Sequence, residues 1–402
     1  MGRVHESQRR AELANRFRSH VPPLPPVGGP ARPPRRLEAF AVGTTWVQLS
    51  WSALGPGPVE VRAGDSAVAV QADGGPGAVV VDGLAPGCVH DVVVSGPGVP
   101  GGPARVSART LTPPPGALLH RLATVSDAHI GSTTTGYLHT IAEKPSPEEP
   151  HPVRCARAAI AEARAWGAGE LVVKGDLVDH SDPGWWALAA DALSGFDGPV
   201  SLVPGNHEWS ARGDGDPVGA AAAHGLALTT PVAHHDRPGV RLVLVDSTVP
   251  GRDPGRLGDL TDAVADLAAE ADRPVLVAMH HQLMSWPVPT YLPVGVAGPD
   301  ARRFLDALAA ANRHVVVTSG HTHRHRRRHH GPVTVTEVGS TKDFPGTWAG
   351  YEVYEGGIVQ TVRRIAEPSC IRWTDHTRRA AGGIWQRWSP GRLADRCFTR
   401  TW

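Results

Sequence analysis

The stretch ELVVKGDLVD, residues 170–179, decides the fold: an apolar strand-like run stops at Gly175 and gives way to Asp176 and Asp179. The same arrangement recurs along the chain. LLHRLATVS at 118–126 leads into Asp127 and His129, and VSLVPG at 200–205 leads into Asn206, His207 and Glu208. VLVAMH at 275–280 ends on His280, and HVVVTSG at 314–320 leads into His321 and His323. VRLVLVD at 240–246 is a further strand candidate. Between these runs, residues 153–167, 185–193, 257–271 and 300–312 carry apolar side chains at helical spacing. The alternation predicts an α/β domain whose polar residues collect at the carboxyl ends of strands, where such sheets gather their ligands.

Residues two apart in an extended segment point to one side, so Asp127 with His129, and His321 with His323, can each aim two donors into one space. Gly175, Gly205 and Gly320 precede the polar residues, where sharp turns and close backbone approach are needed. Asp127, His129, Asp176, Asn206, His280, His321 and His323 are therefore the candidate metal ligands. A donor set of carboxylate, imidazole and amide without thiolate suits Fe, Mn, Zn or Co, whereas Ca or Mg would want fewer histidines. A lone DxH or GD recurs by chance; the whole series in this order, each at a strand end, does not.

The series DxH, GDxx[DN], GNH[ED], H and GHxH resembles the calcineurin-like metallophosphoesterase superfamily over about Leu118 to Ile365. That resemblance implies a two-sheet α/β/β/α sandwich and a dinuclear centre of two divalent or trivalent metal ions. By position, Asp127, His129 and His323 would hold one ion and Asn206, His280 and His321 the other, with Asp176 bridging. His281 would stand behind His280 or face substrate. His207 matches the family's non-ligand histidine, which stabilises the transition state or protonates the leaving oxygen, so His207 and Asp176 carry the catalytic roles. Glu208 and Asp179 are candidates for orienting ligands, with solvated turn residues as the bland alternative. The implied reaction is in-line attack of a metal-activated hydroxide on phosphorus.

Purple acid phosphatases, which also carry a fibronectin-like domain ahead of the catalytic one, have a tyrosine ligand in GDxxY. Here that position is Asp179. With its GDxxD and GNHE forms the sequence looks closer to class III cyclic nucleotide phosphodiesterases, which implies a small-molecule phosphodiester substrate, with cyclic AMP the leading candidate. A phosphomonoesterase or nuclease on the same fold, or a binding scaffold, are the alternatives.

Upstream, residues 1–36 form an Arg/Pro-rich segment, read as disordered. Residues 37–112 change to short alternating runs such as TWVQLSWSA at 45–53 and HDVVVSG at 90–96, separated by Gly and Pro, which predicts a small all-β immunoglobulin-like sandwich. Trp51 mid-strand with Val47 and Leu49 on its face, and GLAPGCVH at 83–90, resemble a fibronectin type III domain, with His90 where that family places a corner tyrosine. Its partner is not readable from the sequence. Pro113–Pro115 marks a boundary, the catalytic domain is read over 117–365, and 366–402 is left as a C-terminal extension.

Two further features draw notice. The loop 130–152 carries Tyr137 and His139 and reads as a surface insertion able to close over substrate; RHRRRHH at 324–330 reads as a solvated basic face or an anion contact. His234 and His235 read as surface residues, Trp185 and Trp186 as packing. Formal net charge is only +1, so no global field recruits nucleic acid, which is not favoured as a partner. No window approaches ~20 apolar residues, so no membrane span is expected. Four cysteines lack CxxC spacing and no signal-peptide core is evident, so the expected location is cytoplasmic.

Overall fold

The computed structural model describes residues 37–99, 101–135, 140–143, 149–209, 215–284 and 293–402. The segment 1–36 and the loop residues Tyr137 and His139 lie outside the described residues.

Seven strands form the N-terminal sandwich: β1 (Glu38–Val42), β2 (Val47–Trp51), β3 (Pro56–Ala63), β4 (Ser66–Asp73), β5 (Gly77–Val81), β6 (Val89–Ser95) and β7 (Ala104–Arg109). They divide into antiparallel sheets ordered β1-β2-β5 and β4-β3-β6-β7. Strict alternation along β3 turns Val59, Val61 and Ala63 inward, and β2 is buried throughout, with Trp51, Val47 and Leu49 in the core. His90 Nε2 lies 2.9 Å from the Ala85 carbonyl. That contact ties the ring to the backbone five residues upstream.

The sandwich is locked to the rest of the chain through buried polar groups. Gln48 Nε2 donates to the Arg364 carbonyl at 2.8 Å, and the Arg364 N–H donates back to Gln48 Oε1 at 2.9 Å. The Arg364 guanidinium adds a bond to Ser50 Oγ at 2.9 Å.

Beyond Pro113 come β8 (Leu118–Val125), a small hairpin β9 (Thr134–Thr135) and β10 (Ile141–Ala142), then β11 (Glu170–Lys174), β12 (Val200–Val203), β13 (Val232–Arg237), β14 (Val240–Val245), β15 (Val275–Met279) and β16 (Val315–Ser319). The run ends with β17 (Arg326–His330), β18 (Val333–Glu337), β19 (Thr347–Tyr354), β20 (Gly357–Arg364) and β21 (Cys397–Thr401). One six-stranded sheet is ordered β12-β11-β8-β19-β20-β21 and the other β13-β14-β15-β16-β18-β17. Strands β8, β11 and β12 run parallel, as do β14, β15, β16 and β18, so each sheet presents a row of strand carboxyl ends.

Helices α1 (His151–Ala165), α2 (Pro183–Leu193), α3 (Leu260–Ala269), α4 (Gly298–Ala311) and α5 (Pro368–Thr377) cover the outer faces. Helix α1 buries Val153, Ala156, Ile160 and Ala163 along one stripe. Helix α2 starts where Asp182 accepts the Gly184 N–H and Pro183 sits in the first turn. Trp186 on this helix is fully buried, and Trp185 packs beside it over Gly131. The layer between the sheets is filled by Leu122, Val172, Leu242, Leu276, Val316 and Tyr351. This is the α/β domain expected from the alternation, in the α/β/β/α sandwich that the resemblance implies. Among the described residues no helix is long and apolar enough to cross a membrane.

Two elements differ from the sequence reading. The basic run becomes strand β17, paired antiparallel with β18, where Arg328 bonds Glu337 Oε1 at 2.9 Å and Arg327 lies over the Phe398 ring. Much of its charge is thereby spent on packing and pairing. Within 366–402, read as a C-terminal extension, the unassigned end forms β21, which pairs with β20 at the edge of the first sheet.

Candidate metal centre

All the candidate ligands converge between the two rows of strand ends. Asp127 and His129 follow β8, Asp176 follows β11, and Asn206 follows β12; His280 follows β15, and His321 and His323 follow β16. Asp127, His129, Asp176, His321 and His323 all adopt positive φ, between 49° and 65°. Such backbone costs of order 1–3 kcal/mol per non-glycine residue and collects at functional sites. Gly205 has an additional reason to lack a side chain: a Cβ there would overlap the Asp176 carboxylate and backbone.

Two clusters result. In the first, His129 Nε2 is 3.1 Å from His323 Nε2, and His323 Nε2 is 3.4 Å from Asp127 Oδ1. In the second, His280 Nε2 is 3.1 Å from both Asn206 Oδ1 and His321 Nδ1. Asp176 Oδ2 stands between them, 3.6 Å from His129 Nε2 and 3.2 Å from His280 Nε2.

The outer nitrogens set the tautomers. His280 Nδ1 donates to the Lys174 carbonyl at 2.8 Å, His321 Nε2 to the Val294 carbonyl at 3.3 Å, and His323 Nδ1 to Asp343 Oδ2 at 2.7 Å. Each acceptor lacks a proton to offer, so the opposite nitrogen turns a lone pair inward. Lone pairs thus meet carboxylate and amide oxygens at about 3 Å, a donor set that fits cations. The carboxylates also shape the proton affinities of these rings. Burial opposes protonation, yet Asp176 and Asp127 raise His280 to about 9, and Asp343 and Asp127 raise His323 to about 10. Burial holds His129 and His321 well below the usual imidazole value. Asp176 lies well below the carboxylate range: burial pushes it up, but His280, His207 and His129 outweigh that.

His281 is fully buried, with Nδ1 2.8 Å from Ser247 Oγ and Nε2 3.0 Å from the Asp253 carbonyl. Both its nitrogens are engaged, so it backs His280 and does not face substrate. His207 lies edge-on to His129, with ring centroids 4.5 Å apart, and its Nδ1 meets Asp179 Oδ1 at 2.8 Å. Burial lowers its proton affinity, but Asp176 and Asp179 raise it further, and the net direction is up. Glu208 is no solvated turn residue. It is buried and accepts the backbone N–H groups of Asp176 at 2.9 Å, Val178 at 3.0 Å and Gly205 at 2.5 Å, which fixes both strand-end turns.

Sequence reasoning missed several supports. Asp343 orients His323. Glu337 accepts Thr322 Oγ1 at 3.0 Å, bracing the turn between His321 and His323. Lys174 Nζ donates to the Ser319 carbonyl at 2.8 Å and Thr318 Oγ1 at 3.1 Å, tying β11 to β16 beneath the site, and burial lowers its pKa to about 7. The backbone carbonyl of Lys174 also holds His280, so one residue serves both sheets. His234 and His235 sit on edge strand β13, away from the clusters.

A two-sheet sandwich thus carries, at its strand ends, imidazole and carboxylate clusters that could hold metal ions. The family model for calcineurin-like phosphoesterase matches residues 120–325, and the chain belongs to that family. A probable cyclic nucleotide phosphodiesterase of Psychrobacter arcticus is 26% identical over 178 residues, which are 42% of this chain and 62% of that protein. The chain therefore spans less than two thirds of that relative's length. Among solved structures, a purple acid phosphatase from yellow lupin seeds aligns with TM-score 0.46 and 12% identity over 82% of this chain and 72% of that one. A PhoD structure aligns with TM-score 0.41 and 10% identity over 84% of this chain and 89% of that one.

Proposed function

We propose that the chain hydrolyses a phosphodiester with two metal ions, held by Asp127, His129 and His323 on one side and by Asn206, His280 and His321 on the other. The observation that carries this reading is the position of Asp176 Oδ2, within 3.6 Å of an imidazole nitrogen of each cluster. Fe, Mn, Zn or Co suits these donors. Such ions supply an activated water and neutralise charge developing on the non-bridging phosphate oxygens.

The chain's own residues do the rest. Asp179 fixes the Nδ1–H of His207, leaving Nε2 to present a proton to the leaving oxygen. The carboxylates around His207 favour its protonated form. Glu208 holds the turns that carry Asp176 and Asn206 in place. Asp179 at the position where a tyrosine ligand would stand, and the likeness to a protein named a probable cyclic nucleotide phosphodiesterase, support diesters and cyclic AMP as substrates.

We read residues 37–112 as a fibronectin type III module that braces the catalytic domain of 117–365 through Gln48 and Arg364. Buried free thiols at Cys155, Cys370 and Cys397 support action in the cytoplasm.

The test is a panel of bis(p-nitrophenyl) phosphate, p-nitrophenyl phosphate, cyclic AMP and single-stranded DNA, assayed with each metal. Turnover of the diesters above the monoester is expected. Preference for the monoester or DNA would move the assignment to the corresponding esterase, and no hydrolysis with any metal would favour a scaffold.

A further inference from the structure

Behind His281 the chain forms a cleft with a strongly basic wall. Residues 250–256 read PGRDPGR, in which a PGR triplet repeats and sets Arg252 and Arg256 four residues apart. Both arginines line a cavity of about 660 Å³ together with Arg303, Asp300 and the backbone of Gly255 and Gly258. The lining thus includes three arginines and one aspartate.

That carboxylate is already in use. Asp300 Oδ2 accepts the Leu257 N–H at 2.8 Å and Oδ1 accepts the Gly258 N–H at 3.2 Å, so its lone pairs turn to the loop. Arg303 is paired with Asp262 at 2.9 Å, a residue outside the cavity lining. Arg252 and Arg256 are exposed, and neither guanidinium has a hydrogen-bonded or ionic partner among the described residues. Two forked, permanently charged donors set around one hollow suit the bidentate geometry of a phosphate group.

The cleft is also tied to the metal centre. A Cβ on Gly255 would overlap the His281 ring, and that ring lies 4.8 Å from the His280 ring and 4.6 Å from the His321 ring, centroid to centroid. One imidazole thus separates the cavity wall from two candidate ligands. Thr248 accepts Trp209 Nε1 at 3.0 Å, next to the Asn206–Glu208 turn, and a tight turn with Arg252 N–H bonded to Val249 O at 3.0 Å then brings Arg252 to the cavity.

We propose that this cleft is a second phosphate-binding site, formed by Arg252 and Arg256, which takes a phosphate group of the substrate other than the one at the metal ligands. The proposal rests on the phosphodiesterase reading of the metal centre. It makes the enzyme's preferred substrates those with more than one phosphate, such as phosphorylated dinucleotides, over diesters that carry only the scissile group.

The experiment compares the full, metal-loaded chain with an Arg252→Ala, Arg256→Ala double variant. For a 5′-phosphorylated thymidine dinucleotide the variant should raise KM by about tenfold, the worth of one charge-assisted contact, with kcat little changed. For bis(p-nitrophenyl) phosphate both constants should stay within about twofold. In calorimetric titration with tripolyphosphate, the wild-type isotherm should contain a component that the double variant lacks, while an Arg252→Lys, Arg256→Lys variant keeps it in weakened form.

Equal KM changes for both substrates, or identical tripolyphosphate isotherms, would overturn the site. Loss of the tripolyphosphate component without any change in dinucleotide KM would assign the cleft to a free polyphosphate and overturn its role in substrate binding. If neither ester is hydrolysed by the wild type, the metal-centre reading fails separately, and the titration still decides whether the cleft holds phosphate.

Discussion

His323 Nδ1 donates to Asp343 Oδ2 across 2.7 Å, although the two residues come from different loops twenty positions apart. The bond determines which nitrogen of His323 is free to face His129 and Asp127. It also supplies negative charge behind a ligand, which raises that ligand's basicity. Asp343→Ala is therefore expected to weaken metal binding by about 10- to 100-fold. Calorimetric metal titration checks this, with Asp343→Asn expected to lie between the variant and the wild type because it keeps an acceptor without the charge.

His207 gives a different expectation, because the proposed function makes it a proton donor beside the ions and not one of their ligands. His207→Ala should lower kcat by about 10²- to 10⁴-fold while metal content holds. Its side chain is 33% exposed, so melting temperature should change little. Asp179→Asn, which leaves the imidazole present but loosens its orientation, should show a smaller fall in kcat. Steady-state kinetics beside thermal melts would separate these outcomes, and unchanged kcat in His207→Ala would remove the residue from the mechanism.

Acid stability should depend on a clamp between the sheets. Glu170 on β11 accepts Arg237 Nε and Nη2, both at 2.8 Å, from the end of β13. Burial pushes the Glu170 carboxyl up, but the His120 ring, with Nε2 3.7 Å away, and the two Arg237 bonds outweigh it, and its folded pKa lies below the usual value. A depressed carboxylate stabilises the fold above the unfolded pKa of about 4.3 and loses that contribution as pH falls through the folded pKa. Arg237→Ala should cost about 3 kcal/mol at neutral pH by stranding a buried carboxylate, and should flatten the acid limb below about pH 4. Urea unfolding across pH measures both effects.

The lock between the β-sandwich and the catalytic sheets can be tested through Gln48. Gln48→Ala leaves the N–H and carbonyl of Arg364 buried without their partners, at a cost of about 2 kcal/mol. Denaturant titration checks it, and a change below about 0.5 kcal/mol would mean water replaces the amide.

What was legible in the sequence follows from range. At these strand ends the apolar run and the donors are contiguous, with a glycine just before Asp176, Asn206 and His321, so these three and Asp127 could be read beside the strands that carry them. Asp343, Glu337 and Lys174 act on residues brought near only by tertiary packing, and nothing local marks an aspartate or a buried lysine for that task. Strand β17 was hidden because arginine and histidine mask a strand whose charges are paired by Glu337 and Asp306. Strand β21 was hidden by its composition, since CFTRT mixes polar with apolar residues and gains its place by pairing with β20.

On the proposed function Asp176 joins two metal sites in one chain. Elemental analysis of the chain after metal loading and exhaustive desalting, run in parallel on Asp176→Ala, measures this. Two ions per wild-type chain and fewer than one in the variant are expected. A wild type that turns over phosphodiesters with a single ion, or a variant that retains both, would rule the bridge out.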